Sequence, residues 1–245
     1  MHLLCSTLHA SYFNRRDPRT RQACDLTMEC VVLTDFDGTM ITIDTGVFLL
    51  DKFAPKSWRI FEKQFERGEI GFEESLAREF GLLKVSQQEM LSALEPAVRF
   101  RPNFPKLQEY CTKHQFQLML ISGGLDFCIQ HFLGLQGWSN LETYTPKARP
   151  TENGIQLSFP NRLEKTSTNM KDDFVIHQMK RGKKVMYVGN GVSDYPSAKI
   201  ADLVFAIKGS KLAQLCRNGG VACDEISDYQ QAVDSIERWV SRQKS

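Results

Sequence analysis

No stretch of this 245-residue chain holds the ~20 consecutive apolar residues that span a bilayer, so a membrane protein is not expected. Charge of one sign is also lacking. Lys and Arg number 31 against 29 Asp and Glu, a net charge of +2, and the basic residues are scattered, which gives nucleic acid no footing. The seven cysteines (5, 24, 30, 111, 128, 216 and 223) contain no C-x-x-C pair. Neither a disulfide framework nor a zinc site is therefore expected, and a reducing cytoplasm fits the chain. The absence of G-x-x-x-x-G-K-[ST] and of G-x-G-x-x-G removes the nucleotide-kinase and dinucleotide readings. The five histidines show no metal-ligand spacing and read as structural or solvated.

What is present is ordinary globular material, 42% apolar and 24% charged, enough for one substantial domain with a smaller insertion. Residues 1–27 stand apart, with Arg15, Arg16, Arg19 and Arg21, few acids and no sustained period. They read as a disordered tail or an over-extended start ahead of Met28, with a transit peptide as the alternative. Five short apolar runs follow: Cys30–Leu33, Leu118–Ile121, Val185–Val188, Leu203–Ile207 and Val221–Cys223. Each suits a strand buried on both faces. Helical patterns alternate with them at Phe104–His114, Leu125–Leu133, Asp172–Lys180, Pro196–Ala201 and Lys211–Arg217. The expected fold is α/β, a Rossmann-like doubly wound parallel sheet. The alternation breaks between residues 44 and 101, where helical patterning alone (Thr45–Phe53, Trp58–Arg67, Phe72–Leu82, Gln87–Glu95) predicts an inserted helical cap. The core is then residues 28–43 and 102–245. Asn153-Gly154, inside the irregular stretch Thr143–Arg162, signals a hairpin.

The first three runs end in polar, glycine-containing turns: Thr34-Asp35-Phe36-Asp37-Gly38, Ser122-Gly123-Gly124 and Gly189-Asn190-Gly191. Ligands of open parallel sheets bind at the carboxyl ends of strands, so the three turns are expected to share a site. Asp35 and Asp37 are two charges that repel unless a hard dication such as Mg²⁺ lies between them. In extended chain, positions i and i+2 face one way, so both acids can reach one pocket. Asp35 can then serve as nucleophile and Asp37 as general acid and base. Ser122 with the amides of Gly123 and Gly124 suits an anion cradle, and equally a plain turn with a serine N-cap. Lys171 can screen an aspartyl group from an incoming phosphate, or be one more surface lysine. Asn190 and Asp194 offer oxygens to a cation, and Asp194 can also cap the helix begun by Pro196.

Asp35-Phe36-Asp37-Gly38-Thr39, Ser122, Lys171 and Gly189–Asp194 together resemble the haloacid dehalogenase-like (HAD) phosphatases, over about nine-tenths of the chain. The resemblance implies Mg²⁺, an aspartyl-phosphate formed on Asp35, acid–base work by Asp37, phosphate held by Ser122 and Lys171, and Asn190 and Asp194 on the metal side. Asn190 stands where the family usually has aspartate. A phosphometabolite-binding protein with a weakened metal site is therefore the alternative to an enzyme. The stretch Phe72-Glu73-Glu74-Ser75-Leu76 resembles the cap of the phosphoserine phosphatase branch. There Asp44 falls where a substrate amino group is met. Glu79 falls where an arginine grips the substrate carboxylate, which disfavours phosphoserine unless Arg78 takes that place. Phe53-Ala54-Pro55, Phe80-Gly81-Leu82-Leu83 and Ile121–Phe127 are more similar to the 2-hydroxy-3-keto-5-methylthiopentenyl-1-phosphate phosphatases of methionine salvage. The expected partner is a small phosphorylated metabolite. The sequence gives no oligomeric state.

Overall fold

The apolar runs become strands because each buries both faces. In β1 (Cys30–Thr34) every residue is buried. Its alternation sorts side chains to opposite sides of a sheet: Val32 joins one apolar cluster, while Val31 and Leu33 join another. The computed structural model describes residues 28–243, and the expectations for residues 1–27 lie outside them.

After β1 come four helices, α1 (Thr45–Phe53), α2 (Arg59–Glu66), α3 (Phe72–Phe80) and α4 (Gln87–Leu94). Then α5 (Phe104–His114), β2 (Gln117–Ile121), α6 (Asp126–Leu135) and β3 (Glu142–Tyr144) follow. A hairpin of β4 (Lys147–Thr151) and β5 (Gly154–Ser158) precedes α7 (Met170–Lys180). The chain continues through β6 (Lys184–Gly189), α8 (Tyr195–Ala198), β7 (Leu203–Ile207), α9 (Lys211–Gly219), β8 (Asp224–Ile226) and α10 (Tyr229–Gln243). Six strands form one parallel sheet in the order β3-β2-β1-β6-β7-β8. The order reverses between β1 and β6, and a crevice opens at their carboxyl ends. Phe104 and Leu107 of α5 cover one face with Tyr229, Ala232 and Ile236 of α10, and Phe174 and Val175 of α7 cover the other.

The chain leaves β1 for the helical insert and returns side by side with itself. Ile41 pairs antiparallel with Phe100, the Thr42 amide donates to Arg99 O, and the Arg101 amide donates to Met40 O. The insert packs through α3 against β5 of the separate β4–β5 hairpin. Gly154 has φ +118°, and a Cβ there would lie 1.9 Å from Gly81 O.

Two expectations need correction, and two elements went unread. The last strand is Asp224–Ile226, not Val221–Cys223. It is an edge strand burying only Ile226, so apolar content did not mark it. The three-residue β3 also escaped, being half-exposed at the opposite edge. The helix begun by Pro196 is the shorter Tyr195–Ala198. The expected hairpin is present, pairing Thr151 with Gly154, so that Glu152-Asn153 forms its corner and Gly154 takes the positive φ. The helix α10 was unread, although its buried Tyr229, Ala232, Val233, Ile236 and Val240 follow a helical period.

Replacing Gly154 by alanine strains the backbone and drives a methyl into Gly81. The expected cost is about 2–3 kcal/mol, a fall in Tm of roughly 4–12 °C in a thermal melt. An unchanged Tm would show that β5 does not seat on the insert as described.

Candidate active site

The end of β1 is pinned before it reaches the crevice. Thr34 Oγ1 lies 2.7 Å from the Tyr229 hydroxyl, and the Asp35 amide donates to Val188 O of β6 at 2.9 Å. The chain then kinks rather than extending. Gly38 takes φ +66°, and Asn190 lies so close that a Cβ on Gly38 would meet its Nδ2 at 2.1 Å. Arg101 locks the kink, donating through Nε to Thr39 O (2.7 Å) and through Nη2 to Gly38 O (3.0 Å). Asp37 thus reaches the pocket from a turn, not from an i, i+2 strand face. Its Oδ1 accepts from the amide and hydroxyl of Thr45, at 2.8 and 2.6 Å.

Lys171 is delivered by a helix start. Asn169 caps α7, accepting from the amides of Lys171 and Asp172, while Asp172 accepts from the Asn169 amide. This reciprocal pairing satisfies the free amides of the first turn. Asn169 Nδ2 also donates to Ser193 O, joining this helix to the loop after β6. The Lys171 side chain is 2% exposed, with Nζ 2.7 Å from Asp194 Oδ1 and 3.1 Å from Asp35 Oδ1. It is not a surface lysine.

A cavity of about 130 Å³ lies between these elements. Asp35, Asp37, Ser122, Gly123, Gly124, Lys171 and Asn190 line it from the sheet side. Asp44, Phe72, Leu76 and Phe80 line it from the insert. The insert sits tightly here: a Cβ on Gly123 would be 2.6 Å from Phe72, and Glu73 Oε1 accepts from the Met170 amide at 2.6 Å. Ser122 does not cap a helix, since α6 is capped at Leu125. Its Oγ accepts from the Gly124 amide at 3.0 Å, which leaves the hydroxyl proton to be donated.

Two expected site residues are not on this cavity. Asp194 is fully buried behind Lys171. Its Oδ1 accepts from Lys171 and Tyr187, and its Oδ2 from the amides of Asn190 and Gly191. With four donors its oxygens are committed, so it is neither placed as a metal ligand nor as a side-chain cap of the following helix. Arg78 turns to Glu74 at 2.6 Å and stands over the Phe61 ring. Asp44 lines the cavity while capping α1 through Val47 N.

Burial governs the electrostatics. It pushes Asp35 up to about 8 against the opposing pull of Lys171. It pushes Asp37 up to about 7, helped by the charge of Asp44 and opposed by the Thr45 hydrogen bonds. Burial works against the Lys171 ammonium too, but Asp194 and Asp35 outweigh it and hold Lys171 above the usual lysine range. Asp194 lies below the usual carboxylate range, because Lys171 and the surrounding donors overcome its burial. Among the described residues no three His, Cys, Asp or Glu side chains cluster as a metal cage. Mg²⁺ does not need one, since it binds through one or two carboxylates and keeps waters. The hard oxygens of Asp35, Asp37 and Asn190 on one wall fit that ion.

Sequence reasoning passed over Arg101, Tyr187, Thr45 and Asn169. Only Asn169 carried a readable signal, the Asn-x-x-Asp spacing of a helix start.

A Rossmann-like sheet with acids and a buried lysine gathered at its reversal point defines an α/β enzyme working at strand carboxyl ends. The chain belongs to the haloacid dehalogenase-like hydrolases, whose family model matches residues 32–199. It is 27% identical over 186 residues to a 2-hydroxy-3-keto-5-methylthiopentenyl-1-phosphate phosphatase of Brevibacillus brevis, covering 74% of this chain and 84% of that one. A Bacillus pumilus protein of the same name is 28% identical over 205 residues, covering 81% and 87%. A solved phosphoserine phosphatase, a phospho-aspartyl intermediate analogue, superposes with TM-score 0.64 at 17% identity, covering 85% of this chain and 99% of that one. That likeness is one of fold. No helix of the described residues is long and apolar enough to cross a membrane.

Glu79, 8% exposed, supplies a pH test of the site's surroundings. Burial pushes it up to about 7, although Ser75 donates to it at 2.6 Å. Its folded value lies above the unfolded value of about 4.3. The folded state therefore keeps a proton that the unfolded chain has released, and stability falls as pH rises towards about 7. Melts of Glu79→Gln and its parent should diverge in favour of the variant from about pH 5 to about pH 8. A Tm difference independent of pH would contradict this.

Proposed function

We propose that this chain is a Mg²⁺-dependent phosphomonoesterase that hydrolyses a small phosphorylated metabolite through an aspartyl-phosphate. The observation that carries the reading is Lys171 Nζ lying 3.1 Å from Asp35 at a cavity shared with Asp37, Ser122 and Asn190. Uncatalysed hydrolysis of such esters is so slow that enzymes supply up to ~10²¹-fold acceleration. Most of it must come from positioning and from charges already in place.

Substrate phosphate sits against the third N–H of Lys171, the Ser122 hydroxyl and the Gly123 amide. Lys171 turns repulsion between Asp35 and the phosphate into attraction. Asp35 attacks phosphorus in line, and Asp37 gives its proton to the departing alkoxide. Asp37, now ionised, takes a proton from water as that water attacks the aspartyl-phosphate. Thr45 holds Asp37 in place for both transfers. Bound Mg²⁺, held by the Asp35 carboxylate, the Asp37 backbone carbonyl and Asn190, would neutralise charge on the phosphoryl oxygens. Asp194 positions Lys171 and the Asn190 loop and is not assigned to the metal.

Residues 44–101 serve as the cap, and residues 28–43 with 102–245 as the core. The names of the relatives make the methylthiopentenyl enol phosphate one candidate substrate. Glu79 near the alcohol end weighs against phosphoserine. A cytoplasmic setting suits such a metabolite.

A panel of phosphomonoesters including both compounds tests the reading. Phosphate release should require Mg²⁺, stop with EDTA, and fall at least ~10³-fold in Asp35→Asn. Stabilisation by inorganic phosphate with no turnover of any ester would mark a binding protein instead.

A further inference from the structure

A second cavity of about 210 Å³ opens from the first, sharing Asp44, Gly46, Phe72, Leu76 and Phe80 with it. Lys171 belongs only to the first cavity. The charges of the second are one-sided. Asp44, Glu62, Glu66 and Glu79 line it, and none of its lining residues is lysine, arginine or histidine. Trp58, Phe65, Phe72 and Phe80 supply aromatic walls.

Glu79 is the informative member. More than nine-tenths of it is buried, and Ser75 donates to one oxygen at 2.6 Å. No cation pairs with Glu79, and no donor reaches its second oxygen, among the described residues. An uncompensated carboxylate in such a place is costly. Burial and the neighbouring Glu62 and Asp44 accordingly raise its pKa. Glu62 has a partner outside, Arg59 at 3.3 Å, but that guanidinium is shared with Asp51 and is half-exposed. Such an exposed pair is screened and does little to offset the field inside.

We propose that this cavity receives the alcohol part of the substrate and selects one bearing an alkylammonium, with Glu79 as the specificity-determining residue. The proposal rests on the phosphomonoesterase reading and adds the class of alcohol. With phosphate held at Lys171, the rest of a compact ester must extend into the adjoining space. An anionic alcohol meets four carboxylates there. A neutral alcohol gains apolar contact and leaves Glu79 without a partner. An alkylammonium gives Glu79 its missing counter-charge, and its methyl or methylene groups lie on aromatic faces, an attraction that reaches about 2 kcal/mol when desolvated.

The test compares two esters of the same shape: phosphocholine, and 3,3-dimethylbutyl phosphate, in which carbon replaces the charged nitrogen. Phosphoserine and p-nitrophenyl phosphate complete the set. The expected kcat/KM ratio of the charged to the neutral isostere is about 30, the equivalent of about 2 kcal/mol. Glu79→Gln should lower that ratio about tenfold. Glu66→Gln, a change at an exposed rim position with no consequence for folding, should lower it about threefold. Equal rates on the two isosteres, preference for the neutral one, or a ratio unmoved by both variants would overturn the alkylammonium assignment while leaving the phosphatase reading standing. No phosphate from these four, with the methylthiopentenyl enol phosphate hydrolysed in the presence of Mg²⁺, would overturn the alkylammonium assignment alone, and no phosphate from any of the five would overturn both.

Discussion

One ammonium held between carboxylates in a place closed to water is the constraint on which the rest of the structure depends. Lys171 lies 2.7 Å from Asp194 and 3.1 Å from Asp35, with its side chain 2% exposed. Charges buried this deeply persist only when paired and hydrogen-bonded. The surroundings comply on every side. Asp194 takes the Tyr187 hydroxyl and two loop amides in addition to Lys171. The lysine's own backbone is fixed by the Asn169–Asp172 helix start. The same acid therefore fixes both the lysine and the glycine-rich loop that carries Asn190.

The topology makes this convergence inexpensive. β1 and β6 are neighbours on either side of the point where strand order reverses, so Asp35 and Asn190 emerge side by side without any special bend of the sheet. What the sheet cannot supply is enclosure, and the inserted helices bring it. Phe72 and Leu76 close on Gly123, and Glu73 ties α3 to the start of α7. In a site so closed, each electrostatic contact is stronger than it would be in water. The insert also divides the space by charge. The catalytic end carries the lysine, and the adjoining end carries acids and aromatic rings.

Most of the central sheet was legible because β1, β2, β6 and β7 are apolar on both faces and end in glycine-bearing turns. The edges were not. β8 buries only Ile226, and β3 is half-exposed, so neither offers an apolar run. The helices α1 and α5 were readable to the residue from their helical patterning. Asp35, Asp37, Ser122, Lys171 and Asn190 were found because each follows a strand or opens a helix. Asp194 was found but misplaced: residue type says that an aspartate can ligate a cation, while only the fold shows that four donors already occupy it. Arg101 and Tyr187 had no local signal. One braces the Gly38 kink from 63 residues away, and the other reaches Asp194 from inside a strand.

The assignment of Asp35 as the group that takes the phosphoryl transfer is tested most directly by trapping it. Borohydride quenching during turnover reduces an acyl-phosphate to the alcohol, so peptide mass spectrometry should find homoserine at position 35. It should appear only when substrate and Mg²⁺ are both present, and not at positions 37, 44 or 194. An enzyme that releases phosphate under those conditions while position 35 remains aspartate, or that carries the reduced residue elsewhere, would contradict the account.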